Sequence, residues 1–269
     1  MTGTDLSDAY ENGNYIARAA DYPPRWATQA GAFRTLMHAR GRCVPDIAYG
    51  KGGREKFDLF LPESTPRGLM VFVHGGYWRA FDKSAWSHLV AGAVARGFAG
   101  VVPGYALCPA VRISAITRQV AAAIAAAAEK VEGPIHLSGH SAGGHLVTRM
   151  LCPDVVGAAA FLERVRRVVS ISGLHDLRPL LRTDMNAELG LDMAEAAAES
   201  VILCSRPAPV SVVAWVGGDE RPAFVDQARQ LAKSWEHAVM HLDEGHHHFN
   251  VIEGLKDPAS PLSEVLLEG

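Results

Sequence analysis

Four cysteines in 269 residues, Cys43, Cys108, Cys152 and Cys204, form no C-x-x-C pair and have no histidine at zinc-ligand spacing beside them. That scarcity argues against a disulfide scaffold and against a thiolate metal site. Charge of one sign is also lacking, because the formal net charge is only -3. A surface so nearly balanced gives no electrostatic reason for a nucleic acid or an anionic membrane as partner. No apolar run approaches the length of a membrane span. The start, Met1-Thr2-Gly3-Thr4-Asp5, lacks the basic residues and apolar stretch of a signal peptide, so the expected compartment is the cytoplasm. Internal repeats and a dividing linker are absent as well, and oligomeric state has no signature in the chain. What remains is 48% hydrophobic and 20% charged, an ordinary globular balance on a chain long enough to bury a core without cross-links.

The hydrophobic pattern changes period along the chain. Residues 1 to about 40 are polar and aromatic, with Tyr10, Tyr15, Tyr22, Pro23, Pro24 and Trp26, then a periodic stretch through Phe33, Leu36 and Met37 that predicts a short helix. This reads as a segment covering the core or rimming a pocket. Ile47 to Tyr49 and the alternating Phe57, Leu59 and Leu61 flank a Gly50-Lys51-Gly52-Gly53 turn, which predicts an antiparallel hairpin at a sheet edge. The consecutive apolar run Leu69 to Val73 predicts a strand buried on both faces, further strands are read at Phe98 to Pro103, Ile135 to Ser138, Val165 to Ser172 and Val210 to Val216, and the last strand is expected near Ala238 to Leu242. Helical stretches alternate with them, at about Ser84 to Arg96, in the alanine-rich Ile116 to Lys130, and at Gly144 to Leu151. The expected fold is α/β, a mostly parallel twisted sheet with helices on both faces. It forms one domain over 1–269, with 1–40 as a covering segment and 174–204 as a small cap insertion.

Gly139-His140-Ser141-Ala142-Gly143 fits G-x-S-x-G between an apolar strand and a helix. The pentapeptide alone also fits a plain glycine turn with Ser141 as a helix cap; the flanking strand and helix favour a nucleophile. Its chemistry needs glycines on either side, because the serine sits on a sharp strand-to-helix turn where larger side chains collide. Roughly 65 residues earlier, His74-Gly75-Gly76-Tyr77-Trp78 follows another buried strand and matches the HGG-type loop that accompanies such an elbow. The amides of Gly76, Tyr77 and Ala142, with Gly75 in reserve, are the candidate donors to an oxyanion, and glycine lets backbone approach it. His74 is expected to hold the loop rather than react.

Taken together these segments resemble the kynurenine formamidase group within the hormone-sensitive-lipase-like branch of the α/β-hydrolase superfamily. The similarity rests on HGGYW, G-x-S-x-G, Tyr49-Gly50 with Arg54, Asp58 to Pro62, Ser172-Gly173-Leu174 with Asp176-Leu177, Phe224 with Gln227, and His248-Phe249. It spans nearly the whole chain. The resemblance implies a serine hydrolase of small carboxylic esters or aryl formamides, N-formylkynurenine among them, without metal or organic cofactor.

Chain order in this fold is serine, acid, histidine, which puts the base near the C-terminus, where His246, His247 and His248 stand in a row. The family pattern of histidine before an aromatic selects His248. A metal site from the triple histidine with His241 is the rival reading, although consecutive side chains converge poorly on one ion. His246 and His247 are expected to lie in a solvated loop. The acid comes from the loop after Val210 to Val216 and is Glu220 or Asp219: the family's position falls on Glu220, leaving Asp219 to cap the helix that Pro222 starts. Asp176 is expected to be structural. His140 and Trp78 are candidate pocket residues, and Tyr22, Trp26, Tyr77 and Trp86 are further candidates to wall an aryl site, although as core aromatics Trp78 and these four would look the same in sequence. A larger-substrate amidase or peptidase, or a non-catalytic protein on a hydrolase scaffold, would share the fold.

Overall fold

The computed structural model describes residues 5–155 and 157–268; the first four positions of the expected covering segment, and positions 156 and 269 of the expected domain, lie outside the described residues. Eight strands form one sheet: β1 (Cys43–Ala48), β2 (Lys56–Phe60), β3 (Leu69–Val73), β4 (Ala99–Pro103), β5 (Ile135–His140), β6 (Val165–Ile171), β7 (Ser211–Gly217) and β8 (Ala238–Asp243). Their spatial order is β1-β2-β4-β3-β5-β6-β7-β8. β1 and β2 pair antiparallel, as does β2 with β4, and every later pair is parallel. This is the α/β-hydrolase fold with an antiparallel hairpin at one edge.

The helices are α1 (Tyr22–Ala39), α2 (Ala91–Ala95), α3 (Ile113–Ala128), α4 (Ala142–Arg149), α5 (Ala159–Leu162), α6 (Asn186–Leu189), α7 (Met193–Glu199), α8 (Pro222–Ser234) and α9 (Pro261–Leu267). None of the described helices is long and apolar enough to cross a membrane. The core lies on both sides of the sheet, and β3 shows why its residues are apolar without alternation. Leu69, Val71 and Val73 pack into one cluster with α3 and α4, while Met70 and Phe72 pack into the other with Trp26 and Trp86. The alanines of α3 are small where the helix meets the sheet, with Ala121, Ala123 and Ala127 buried beside Ile116, Val120 and Ile124.

Two local expectations need correction. The N-terminal helix is not short: α1 runs 18 residues and begins before the proline pair, because proline in a first turn loses no intrahelical hydrogen bond. The stretch from Ser84 is mostly two 3₁₀ turns, Lys83–Ala85 and Ser87–Val90, with α2 completing it.

Candidate active site

The sheet brings the candidate residues together at the carboxyl ends of its parallel strands, the usual place for a site in such sheets. The HGG loop follows β3, Ser141 follows β5, Ser172 follows β6, Glu220 follows β7 and His248 follows β8. Crossing the sheet from β3 to β8 therefore visits the candidates in chain order.

At the elbow Ser141 has φ +55° and ψ -118°, a strained conformation for a residue with a side chain, and it opens α4. Its own backbone closes the turn, with the Ser141 amide donating to Ile171 O at 2.8 Å and the His145 amide to Ser141 O at 3.2 Å. The flanking glycines answer a close approach of chains. A Cβ on Gly139 would lie 2.2 Å from Gly143 O, and one on Gly143 would lie 2.0 Å from Val73 O. Gly75 presses against the same turn, where a Cβ would meet His140 O at 2.7 Å and the Ser141 Cβ at 3.0 Å.

The HGG loop then coils through three consecutive left-handed residues, Gly76 (φ +107°), Tyr77 (φ +48°) and Trp78 (φ +55°). Among the described residues, the amides of Gly76, Tyr77 and Ala142 have no hydrogen-bond acceptor. For Ala142 this follows from its place in the first turn of α4. His74 secures the loop from beneath. Its Nδ1 donates to Gly75 O at 2.7 Å, its carbonyl accepts from the Tyr105 hydroxyl at 2.7 Å, and its ring stacks on Tyr105 with centroids 4.3 Å apart. Burial pushes the His74 pKa down to about 4, so the imidazole stays neutral.

Glu220 and His248 meet because β7 and β8 are neighbours in parallel register, Gly217 opposite Asp243. The loops beyond them are lashed together by Gly218 N to Asp243 O and Asp219 N to His246 O, both 2.9 Å. Glu220 Oε2 accepts from His248 Nδ1 at 2.6 Å. Its other oxygen accepts from the Gly217 amide at 3.0 Å and from the Ser172 hydroxyl. A fully buried carboxylate needs that many donors to offset its lost hydration. With Nδ1 carrying the proton, Nε2 of His248 is left as the basic nitrogen.

The His248 ring packs against two other rings, His140 (centroids 4.6 Å) and Phe224 (4.4 Å). His140 also ties this loop to the elbow, because its Nε2 donates to His248 O at 2.8 Å. Burial, with the adjacent His248, drives the His140 pKa well below its ordinary value. Ser141, His140 and His248 line one pocket of about 260 Å³ together with Gly76 and Tyr77. Trp26, Phe81, Trp86 and Phe249 form its aromatic wall, with Trp26 centroids 4.8 Å from Trp86 and 5.4 Å from Phe249.

Several sequence expectations fall elsewhere. Trp78 does not line the pocket: it is fully buried in the core, edge-on to His145 at 5.2 Å, because the left-handed turn at Tyr77 and Trp78 sends the indole inward. Tyr22 is also outside the pocket lining; its hydroxyl is 3.0 Å from His247 Nε2. His247 is therefore a half-buried packing residue rather than solvated loop. Asp219 is exposed and does not cap α8, whose N-cap is Arg221 without a side-chain cap bond. Asp176 is engaged by Arg178 at 2.8 Å through both oxygens. The three histidines diverge towards Asp243, Tyr22 and Glu220, and no group of metal-type side chains stands among the described residues.

Two contributors escaped the reading of the residues. Ser172 was visible only through the family resemblance, since a serine at a strand end carries no signal of its own. Glu11, Asn12 and Gly13 line the pocket from the N-terminal segment, and only the general expectation of a rim pointed there.

Comparison with known proteins adds a lineage to this geometry. The BD-FAE family model matches residues 57–264. The crystal structure of a proposed thioesterase from Silicibacter sp. TM1040 superposes with a TM-score of 0.94 at 55% identity, covering 98% of this chain and 99% of that one. The kynurenine formamidase of Drosophila melanogaster is 30% identical over 87% of this chain and 83% of its own length. That of Danio rerio is 27% identical over 91% and 92%.

Proposed function

The chain belongs to the BD-FAE family of α/β-hydrolase esterases, related to the kynurenine formamidases, and on that premise we propose that it cleaves small carboxylic esters or aryl formamides through an acyl-enzyme on Ser141. The observation that carries this reading is the 2.6 Å hydrogen bond from His248 Nδ1 to the buried Glu220, inside the pocket that Ser141 lines.

In this reading His248 Nε2 takes the Ser141 proton as the hydroxyl oxygen attacks the substrate carbonyl. Glu220 fixes the ring tautomer and stabilises the imidazolium that forms. The amides of Gly76, Tyr77 and Ala142 receive the charge on the former carbonyl oxygen, and being fixed in advance they reorganise little as it develops. Collapse breaks the bond to the leaving alcohol or amine, which departs with the proton from His248. Water then gives a proton to His248, attacks the acyl or formyl group, and releases the acid and Ser141. The aromatic wall of Trp26, Phe81, Trp86 and Phe249 supports an aryl group on the substrate.

The test compares wild type with Ser141→Ala on short p-nitrophenyl esters, a matched aryl thioester and N-formylkynurenine. Serine-dependent turnover is expected, with Ser141→Ala losing about 10³-fold or more in kcat while folding normally. Faster cleavage of N-formylkynurenine than of the esters would make the protein a formamidase. A Ser141→Ala protein as active as wild type would overturn the mechanism.

A further inference from the structure

Part of the pocket lining is an N-terminal strap, Glu11 to Gly13, and it is firmly tied down. Leu6 N donates to Arg182 O at 2.8 Å, Arg221 pairs with Asp8 at 2.6 Å, and the Tyr10 carbonyl accepts from the Tyr77 hydroxyl while the Tyr10 hydroxyl accepts from Gln227 at 3.2 Å. Two residues beyond Tyr10 comes Asn12, only 6% exposed and part of the pocket lining. Most buried polar side chains are hydrogen-bonded, and an unpaired amide is destabilising when sealed from water. The Asn12 carbonyl accepts from the Tyr15 amide at 3.1 Å, but its side-chain amide has no hydrogen-bond partner among the described residues and is not sealed off, since Asn12 lines the cavity.

We propose that Asn12 is a specificity-determining residue, binding an uncharged hydroxyl or carboxamide group on the part of the substrate that meets the N-terminal strap. This rests on the reading of the pocket as the substrate site. A carboxamide both donates and accepts, which suits neutral groups of either kind. The charges nearby select against an anion. Arg79, the cation on the pocket wall, is engaged by Glu188, while Glu11 beside Asn12 has no cationic partner among the described residues. A substrate carboxylate here would meet an excess negative charge, and a site built to hydrogen-bond a polar group discriminates against its apolar analogue.

Binding can be read without catalysis, in the Ser141→Ala protein, using unreactive ketones and tryptophan fluorescence. The first pair is 3-hydroxy-1-phenylbutan-1-one and 1-phenylbutan-1-one. Adding Asn12→Leu is expected to shift the ratio of their dissociation constants by about tenfold in favour of the plain ketone. The second pair is 4-oxo-4-phenylbutanamide and 4-oxo-4-phenylbutanoate, of which the neutral amide is expected to bind more tightly. If Asn12→Leu melts early by circular dichroism, Asn12→Ala replaces it. A ratio that does not move, a parallel weakening of both ketones, tighter binding of the carboxylate, or no binding of any ketone overturns the proposal. Loss of Ser141 dependence in turnover would instead overturn the catalytic reading, and the binding ratio would still be measured.

Discussion

The Ser141 side of the pocket and the side where Glu220 meets His248 are built by different physics. Around Ser141 the structure is made of backbone pressed against backbone: β5, α4 and the HGG loop approach so closely that Gly139 and Gly143 have no room for a Cβ. Around His248 the structure is made of side chains reaching across loops, with Glu220 received by Ser172, Gly217 and His248. The first arrangement tolerates few residue types. The second depends on where a side chain points, which neighbouring residues do not reveal.

The sharpest test of this difference uses two adjacent acids. Glu220→Gln keeps the shape but sets an amide donor against the His248 Nδ1 proton, favouring the wrong tautomer. A loss of roughly 10³ to 10⁴ in kcat is expected with the fold retained. Asp219→Asn should stay within about twofold, since its side chain is exposed and its structural bond is made by the backbone amide. Steady-state kinetics on one ester decides, and equal damage from both would erase the distinction.

On the serine side the damage should appear in stability. Gly143→Ala places a methyl 2.0 Å from Val73 O, backbone that cannot swing aside, and about 4 kcal/mol or more of destabilisation is expected in urea melts. A loss below about 1 kcal/mol would mean that the elbow is looser than its contacts indicate.

The smallest effect comes from mild acid. Burial pushes the pKa of His74 down to about 4 and those of His145 and His175 to about 3, all beside the elbow or the HGG loop. An imidazole whose folded pKa is depressed leaves the unfolded chain binding more protons once the pH drops below about 6.5, so stability falls on acidification. The melting temperature should be lower by several degrees at pH 5 than at pH 7, and these groups should contribute no change between pH 7 and pH 9. A flat profile from pH 7 to pH 5 would show that these imidazoles are less enclosed than their burial implies.

Much of the fold was legible because central strands such as β3 and β4 are buried at every position and mostly apolar, as burial on both faces requires, whereas β8 at the sheet edge is partly exposed. The periodicity through Phe33, Leu36 and Met37 marks only the later part of α1, whose first turn holds the proline pair that a helix start accommodates. In the site, glycine spacing marked both the elbow and the HGG loop. For Trp78 the sequence leaves pocket wall and core equally open, because an aromatic beside a glycine pair looks the same whether its ring turns outward or inward. The left-handed backbone at Tyr77 and Trp78 turns it inward, and nothing in the residue types announces that.

By itself, then, the sequence determined the sheet, the elbow and the HGG loop, because hydrophobic period and glycine placement are local consequences of burial and close backbone approach. The tertiary structure decided that Glu220 rather than Asp219 faces His248, that Ser172 supports it, and that Asn12 lines the pocket. Each of those depends on the parallel pairing of β7 with β8, or on a strap folded back across the sheet, which brings together residues separated by tens to hundreds of positions.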